Sequence, residues 1–231
     1  MKQEQTVIPS LAVSGDITFP APPFARTCQA THLLSRVVAH LDSSHGTCDI
    51  AKDYYSRSLQ LHQILSSFHS ALNQDLKTEE PFVFMALSSA MGICFSAIIA
   101  LYDAHTCADL DDPSGVGIPE QLKMQEVALG GLHDIGASVC EFASRLQVMS
   151  LSSHSSKAML SPFATEGLFA AAKQYLWYIR ETGKLEILAS VEMLTGALRL
   201  LGQRWQVASK SLQGRNMPDI VARLASNDPS I

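Results

Sequence analysis

The sequence has few charged residues and no cluster of basic ones. Asp, Glu, Lys and Arg make up 17% of the 231 residues, and the formal net charge is −5. No four consecutive positions hold only Lys or Arg. A protein that covers DNA or RNA needs a basic face to neutralise the phosphates. Direct DNA contact by this chain is therefore not expected.

Cysteine is also scarce, and its spacing fits neither a disulfide framework nor a zinc site. The polar start, Met1 to Gln5, is followed by no apolar run of signal-peptide length, so we expect no secretion. An odd number of widely spaced cysteines is typical of reduced thiols in an intracellular protein. The five stand at Cys28, Cys48, Cys94, Cys107 and Cys140.

Common catalytic and metal-binding motifs are missing as well. The sequence contains no Gly-x-Ser-x-Gly, no Gly-rich phosphate loop, no dinucleotide-binding fingerprint and no His-Glu-x-x-His. His62 and His69 lie two helical turns apart but do not supply four zinc ligands. We expect these two, with His40 and His45, to be ordinary helix-surface side chains. We predict no catalytic residue, no metal ligand and no cofactor, and leave any ligand-binding residues unassigned.

One acidic loop has part of the carboxylate spacing of a calcium-binding loop. Asp109, Asp111 and Glu120 occupy positions one, three and twelve of such a loop. Position five is Pro113, and Ser114 stands where a glycine should allow the sharp turn. We interpret the segment as a solvated acidic loop.

What the sequence does contain is apolar residues at helical spacing. They make up 47% of the chain, recur three and four positions apart, and form no convincing strand pattern. We predict a single all-α bundle of about six main helices over residues 27–231, after a disordered Pro-rich tail or linker at residues 1–26. The first predicted helix begins at Thr31, the second is Asp49–Leu76 with Asp49 as N-cap, and the third is Pro81–Tyr102. The fourth carries Leu132 to Met149, and the fifth has Ser161 as N-cap and Pro162 in its first turn. The last is Lys184–Gln213.

The last predicted helix carries the longest apolar stripe, and we expect it to organise the bundle. The Trp177-Tyr178 pair and Trp205 could form an aromatic cage for a ligand, but periodicity places Trp205 on the buried stripe and favours core packing. A ligand pocket between helices is a normal feature of such bundles and stays an alternative. The stripe is Ile187, Val191, Leu194, Leu198, Leu201, Trp205, Ala208 and Leu212.

The third predicted helix has no charge from Pro81 to Tyr102, enough residues to cross a bilayer. Its serines, its acidic flanks and the lack of a Trp at either end argue against a membrane span. A helix that is apolar all round is also typical of a bundle centre, and we favour that interpretation.

Segments near the end of the chain carry a family pattern. Ser161-Pro162-Phe163, Leu168 to Ala172 and Ala197 to Ala208 resemble the closing part of the regulatory domain of fungal zinc-cluster transcription factors. The last segment is similar to the family's Ala-Leu-x-x-Leu-Ser-x-Arg-Trp-x-x-Ala, with Gly202 in place of the serine. The apolar helix beginning Pro81-Phe82 also looks like the family's. The resemblance covers about residues 30–213 and is strongest over 161–212.

The resemblance implies a non-enzymatic regulatory domain that acts in the nucleus, with control of a secondary-metabolite gene cluster as a further expectation. Its partners would be transcription machinery, another regulator or a second copy of the chain. A small-molecule effector is an additional alternative, and no membrane association is expected. The family's six-cysteine zinc cluster does not precede Thr27. The chain is therefore expected to be part of a longer regulator or to have lost direct DNA contact.

An alternative function is a small all-helical enzyme with a pocket between helices. In that hypothesis the pocket lies between the third and fourth helices, and His133 or Asp103 acts as acid or base. His133 and Cys140 stand seven residues apart on one helix, more than about 10 Å along its axis, so they cannot form a nucleophile pair.

Overall fold

The structure is a computed structural model that describes residues 21–43, 48–77, 80–106, 119–152, 161–183 and 185–205. These residues form α-helices with one 3₁₀ turn and, within the described ranges, no strand. The predicted all-α bundle is confirmed. The helices are α1 (Pro23–Asp42), α2 (Cys48–Asp75), α3 (Pro81–Asp103), α4 (Pro119–Ser152), α5 (Ala164–Thr182) and α6 (Leu188–Gly202), with the 3₁₀ turn at Leu185–Ile187.

The centre of the bundle is α3, which packs against α1, α2, α4 and α5. Pro81 occupies its first turn, as predicted, where the missing N–H costs no helical hydrogen bond. The hydroxyl of Ser88 donates to the Met85 carbonyl at 2.6 Å, so this buried serine is satisfied within the helix. Thus α3 organises the described bundle, and the prediction that the last helix does so was wrong.

Only α3, within the described part of the chain, is long and apolar enough to cross a membrane. Its most apolar window has a mean hydropathy of 2.2, and 72% of that window is buried inside the protein. Neighbouring helices cover it on several sides. The contacts therefore favour the interpretation of α3 as a core helix.

The first helix begins at Pro23, earlier than the predicted start at Thr31. Proline is well tolerated in a first helical turn, so the Pro-rich composition hid the start. Arg26 is 2% exposed, and its Nε atom lies 2.8 Å from a carboxylate oxygen of Asp75 at the end of α2. Residues 23–26, which the prediction assigned to the tail, are thus part of the packed structure. The predicted N-cap Asp49 lies inside α2, and its side chain falls outside the described part.

The predicted start of α5 and the length of the last helix also need correction. Ser161 is not the N-cap, because α5 begins at Ala164 after Phe163. The Ser161 hydroxyl instead accepts the Phe163 N–H at 3.2 Å and a hydrogen bond from Ser89 on α3 at 2.7 Å. The last helix ends at Gly202, and the predicted continuation over 206–213 lies outside the described residues.

The predicted apolar stripes are confirmed where the structure describes them. Gly183 has φ 67° and closes α5 by donating its N–H to the Ile179 carbonyl. Trp205 is half-buried against the core. The buried stripe residues are Ile135, Val139, Phe142 and Leu146 on α4, Leu168, Ala171, Ala172 and Ile179 on α5, and Val191, Leu194, Leu198 and Leu201 on α6.

Candidate ligand-binding cleft

A cleft of about 390 Å³ opens where α4, α5, the end of α3 and the 3₁₀ turn meet. Buried apolar side chains, Ile99 of α3, Ile135 of α4 and Ala171 of α5, form part of its lining. Ile135 and Ala171 belong to the apolar stripes of α4 and α5, and Ile99 comes from the apolar core helix α3. A volume of this size falls in the range of small-molecule sites in proteins.

Aromatic side chains of α5 form one wall of the cleft. Tyr175 and Tyr178 lie one helical turn apart and therefore share a face of α5. Trp177 lines the same cleft and is 48% exposed, and Leu129 across from it on α4 is 51% exposed. Two large apolar side chains thus stand in water at the cleft.

The phenol of Tyr175 lies directly on the backbone of α4. A Cβ atom at Gly136 would lie 2.6 Å from the Tyr175 hydroxyl oxygen, so the absence of a side chain at Gly136 makes this contact possible. The Cys140 thiol lies 4.0 Å from the same oxygen and can donate a weak hydrogen bond to it. Burial raises the pKa of Tyr175 and of Cys140, so both groups are neutral at pH 7.

Gln174 is a polar residue of the lining whose side-chain amide is hydrogen-bonded to a residue of another helix. Its amide nitrogen donates a hydrogen bond to Oδ1 of Asp103, the last residue of α3. The Nζ atom of Lys173 lies 3.6 Å from the other carboxylate oxygen of Asp103. A carboxylate accepts hydrogen bonds only, so it holds the NH₂ side of the amide and leaves the Gln174 carbonyl oxygen as an acceptor.

The two residues proposed as acid or base in the enzyme hypothesis have different positions. His133 lines the cleft, on the exposed side of α4. Asp103 is not part of the lining, but its carboxylate accepts a hydrogen bond from Gln174, which lines the cleft. A cleft does lie between α3 and α4, as the enzyme hypothesis supposed. The aromatic wall of this cleft comes from α5, which the hypothesis did not include.

Three of the histidines considered above, His40 on α1 and His62 and His69 on α2, make defined side-chain contacts and are not exposed. His40 is 8% exposed, with its Nε2 atom 2.8 Å from the Ser58 hydroxyl. Nδ1 of His62 lies 2.8 Å from the Tyr102 hydroxyl, and His69 lies beside Asn73. Burial lowers the pKa of all three histidines, which keeps them neutral at pH 7. The expectation of ordinary surface histidines was wrong for His40, which the sequence places at a helix end but the fold buries.

No group of three or more His, Cys, Asp or Glu side chains that could hold a metal occurs in the described ranges. Most of the acidic loop, including Asp109 and Asp111, lies outside those ranges. Glu120 at its end lies in the first turn of α4, and its carboxylate lies 3.5 Å from the Lys52 ammonium. The interpretation of this loop therefore stays a prediction.

Comparison with protein-family models, with curated proteins and with solved structures finds no match for this chain. The resemblance to the fungal regulators therefore stays a prediction that rests on its motifs. Two of the segments that carry the motifs do touch in the structure, since Ser161 accepts a hydrogen bond from Ser89 of α3.

Proposed function

We propose that this chain is a regulatory domain of a fungal-type transcription regulator whose output depends on a small molecule bound in the cleft. The observation that carries the proposal is the cleft itself, which joins α3, α4, α5 and the 3₁₀ turn before α6. A ligand there contacts several helices at once and can change how they pack. Two of the helices that carry the family motifs, α3 and α5, are among them, whereas α6 packs against α4 and α5 and does not line the cleft.

The lining supports binding rather than chemistry. Among the described residues that line the cleft, His133 and Glu186 are both exposed, while the remaining ionisable groups are tyrosines. Burial raises the pKa of Tyr175, so its hydroxyl is a poor base at neutral pH. A site of apolar walls and few polar groups is typical of ligand recognition.

The remaining parts of the proposal come from the resemblance. On that resemblance, we propose that the protein acts in the nucleus and binds a protein partner, either transcription machinery, another regulator or a second copy of the chain. Contact with DNA would come from another polypeptide segment, because the charge balance of −5 does not suit phosphate binding. The proposed output is control of a secondary-metabolite gene cluster.

A reporter assay in fungal cells tests the proposal. The full chain is fused to a heterologous DNA-binding domain, and Leu132→Trp, which fills the cleft, is compared with Val148→Trp on the exposed side of the same helix. We expect Leu132→Trp to change reporter output several-fold and Val148→Trp to leave it unchanged. Thr182→Trp, at an exposed cleft position, is a second blocking variant should Leu132→Trp lower the protein level. A fusion that never alters reporter output, or two blocking variants without effect, contradicts the proposal.

The enzyme hypothesis is a second candidate because one observation favours it, the position of His133 in the lining. An exposed imidazole can act as acid or base towards a molecule in the cleft. The test is turnover of an aromatic ester or aldehyde that the purified chain transforms and the His133→Ala variant does not. Equal rates for both proteins would remove this candidate.

A further inference from the structure

We propose that the cleft binds an uncharged aromatic molecule that carries a hydroxyl or N–H group, and that this group donates a hydrogen bond to the side-chain carbonyl oxygen of Gln174. This inference rests on the proposed function in taking the cleft as the effector site. It adds the chemical class of the ligand and the residue that selects it.

The aromatic character of the ligand follows from the walls. Tyr175, Trp177 and Tyr178 supply three rings within one turn of α5, and aromatic rings pack well against other rings. Trp177 and Leu129 are each about half exposed at the cleft. A ligand with an apolar ring system covers both of these side chains, which otherwise lie against water.

The lack of charge on the ligand follows from the groups inside the cleft. The Tyr175 hydroxyl and the nearby Cys140 thiol stay protonated at neutral pH, and the Asp103 carboxylate is already paired with Lys173 and bound to Gln174. Glu186 and His133 line the cleft from exposed positions, where water solvates them. A charged ligand would lose water at Ile99 and Ile135 without gaining an opposite charge there.

The requirement for a donor follows from Gln174. An amide can present either its NH₂ group or its carbonyl oxygen, and by itself it does not choose between donors and acceptors. Here the NH₂ group donates to Asp103, which fixes the amide orientation. With its NH₂ group held by Asp103, Gln174 offers its carbonyl oxygen to a ligand and therefore favours ligands that donate. Asp103 acts through Gln174 and is a positioning residue.

The test uses three related probes, namely 2-naphthol, which has a donor, 2-methylnaphthalene, which has none, and 2-naphthoate, which is charged. Their binding to the full chain is measured by equilibrium dialysis at pH 7. One neutral hydrogen bond corresponds to a preference of roughly three- to tenfold for 2-naphthol over 2-methylnaphthalene. 2-Naphthoate is expected to bind most weakly.

Gln174→Met keeps the length of the side chain and removes the acceptor. We expect this variant to bind 2-methylnaphthalene as the unmodified chain does and to lose the preference for 2-naphthol. The matched control is Gln203→Met, an exposed glutamine outside the cleft. A general loss of structure would weaken all probes together, whereas the proposal requires loss of one preference only.

Three results overturn the proposal, namely no binding of either neutral probe, equal binding of both, or a preference that survives Gln174→Met. Binding does not depend on transcription, so the reporter assay fails separately from this one. A silent reporter with selective binding would leave the ligand site standing and remove the transcriptional role.

Discussion

A Cβ atom added to Gly92 would lie 2.5 Å from the Cα atom of Ala164, so α3 and the start of α5 touch backbone to backbone. The hydrogen bond from Ser89 to Ser161 lies in the same contact. This contact sets the position of α5, and with it the aromatic wall of the cleft.

Gly92→Ala is expected to destabilise the protein, because the atoms that a methyl group would meet are backbone atoms that cannot move aside alone. Overpacking of this kind costs about 1–3 kcal/mol or more. The matched control is Gly130→Ala on α4, where nothing lies within 4 Å of the added atom. There the higher helix propensity of alanine should stabilise by about 0.5–1 kcal/mol. Urea unfolding of both variants measures the difference, and equal stabilities would contradict the close contact.

Asp75→Ala is expected to lower the free energy of unfolding by roughly 3 kcal/mol, because it leaves the guanidinium of Arg26 buried without its ion pair. The double variant Arg26→Met with Asp75→Leu should recover most of that loss, since apolar side chains of similar volume can replace a buried pair. Lys52→Ala, which removes an exposed pair with Glu120, serves as the control and should change stability by less than about 1 kcal/mol. A double variant no more stable than Asp75→Ala would show that Arg26 is not held in a buried pair.

The protein is expected to lose stability as the pH falls below neutral. His105 is 6% exposed, its Nε2 atom has no hydrogen-bond partner in the described part, and burial lowers its pKa from 6.5 to about 4. The unfolded chain therefore takes up the proton at a higher pH than the folded chain. The free energy of unfolding should fall between pH 6.5 and 4, by at most roughly 3 kcal/mol from this residue.

His105→Phe should weaken this dependence, because a phenyl ring fits beside Tyr54 and Tyr55 and takes up no proton. His40, His62 and His69 contribute in the same direction and stay in place, so part of the dependence remains. Urea unfolding at pH 7 and pH 5 measures both proteins. An equal loss of stability in the two would exclude His105 as a source.

Asp103→Asn is expected to reduce the selectivity of the cleft. An asparagine can accept or donate, so Gln174 is no longer held in one amide orientation and can present its NH₂ group to a ligand. The ratio of 2-naphthol to 2-methylnaphthalene binding should fall towards one, while 2-methylnaphthalene binding itself stays the same. An unchanged ratio would show that the carboxylate does not orient Gln174.

Much of the helical fold could be predicted from local sequence. The α4 stripe through Ile135, Val139, Phe142 and Leu146 is buried as its period indicates, and Pro81 and Gly183 mark a helix start and a helix end. The start of α1 was missed because Pro23 follows other prolines closely. From sequence alone, a proline in the first turn of a helix cannot be distinguished from a proline in a Pro-rich tail. Helix continuation through Trp205 was predicted because the apolar period persists past the point where the helix ends at Gly202.

The site could not be predicted in the same way, since it depends on contacts between distant residues. Nothing local to Gly136 indicates that the Tyr175 phenol lies on it, and nothing local to Gln174 indicates its bond to Asp103. The signal in the sequence that points to the cleft is the Trp177-Tyr178 pair, because large aromatic side chains commonly line ligand-binding pockets. Its exposed fraction of 48% shows that packing covers only half of it.

The central claim is that the cleft binds a small aromatic molecule, and the two tryptophans of the chain allow a direct measurement. Trp177 lines the cleft, whereas Trp205 packs against the core beside Arg204 and is not part of the lining. In a ¹⁵N-labelled sample each indole N–H gives one NMR signal, and the Trp177→Phe variant assigns them. Titration with 2-naphthol should shift the Trp177 signal in a saturable way and leave the Trp205 signal in place. A Trp177 signal that stays fixed at saturating 2-naphthol, or a shift confined to Trp205, would contradict the account.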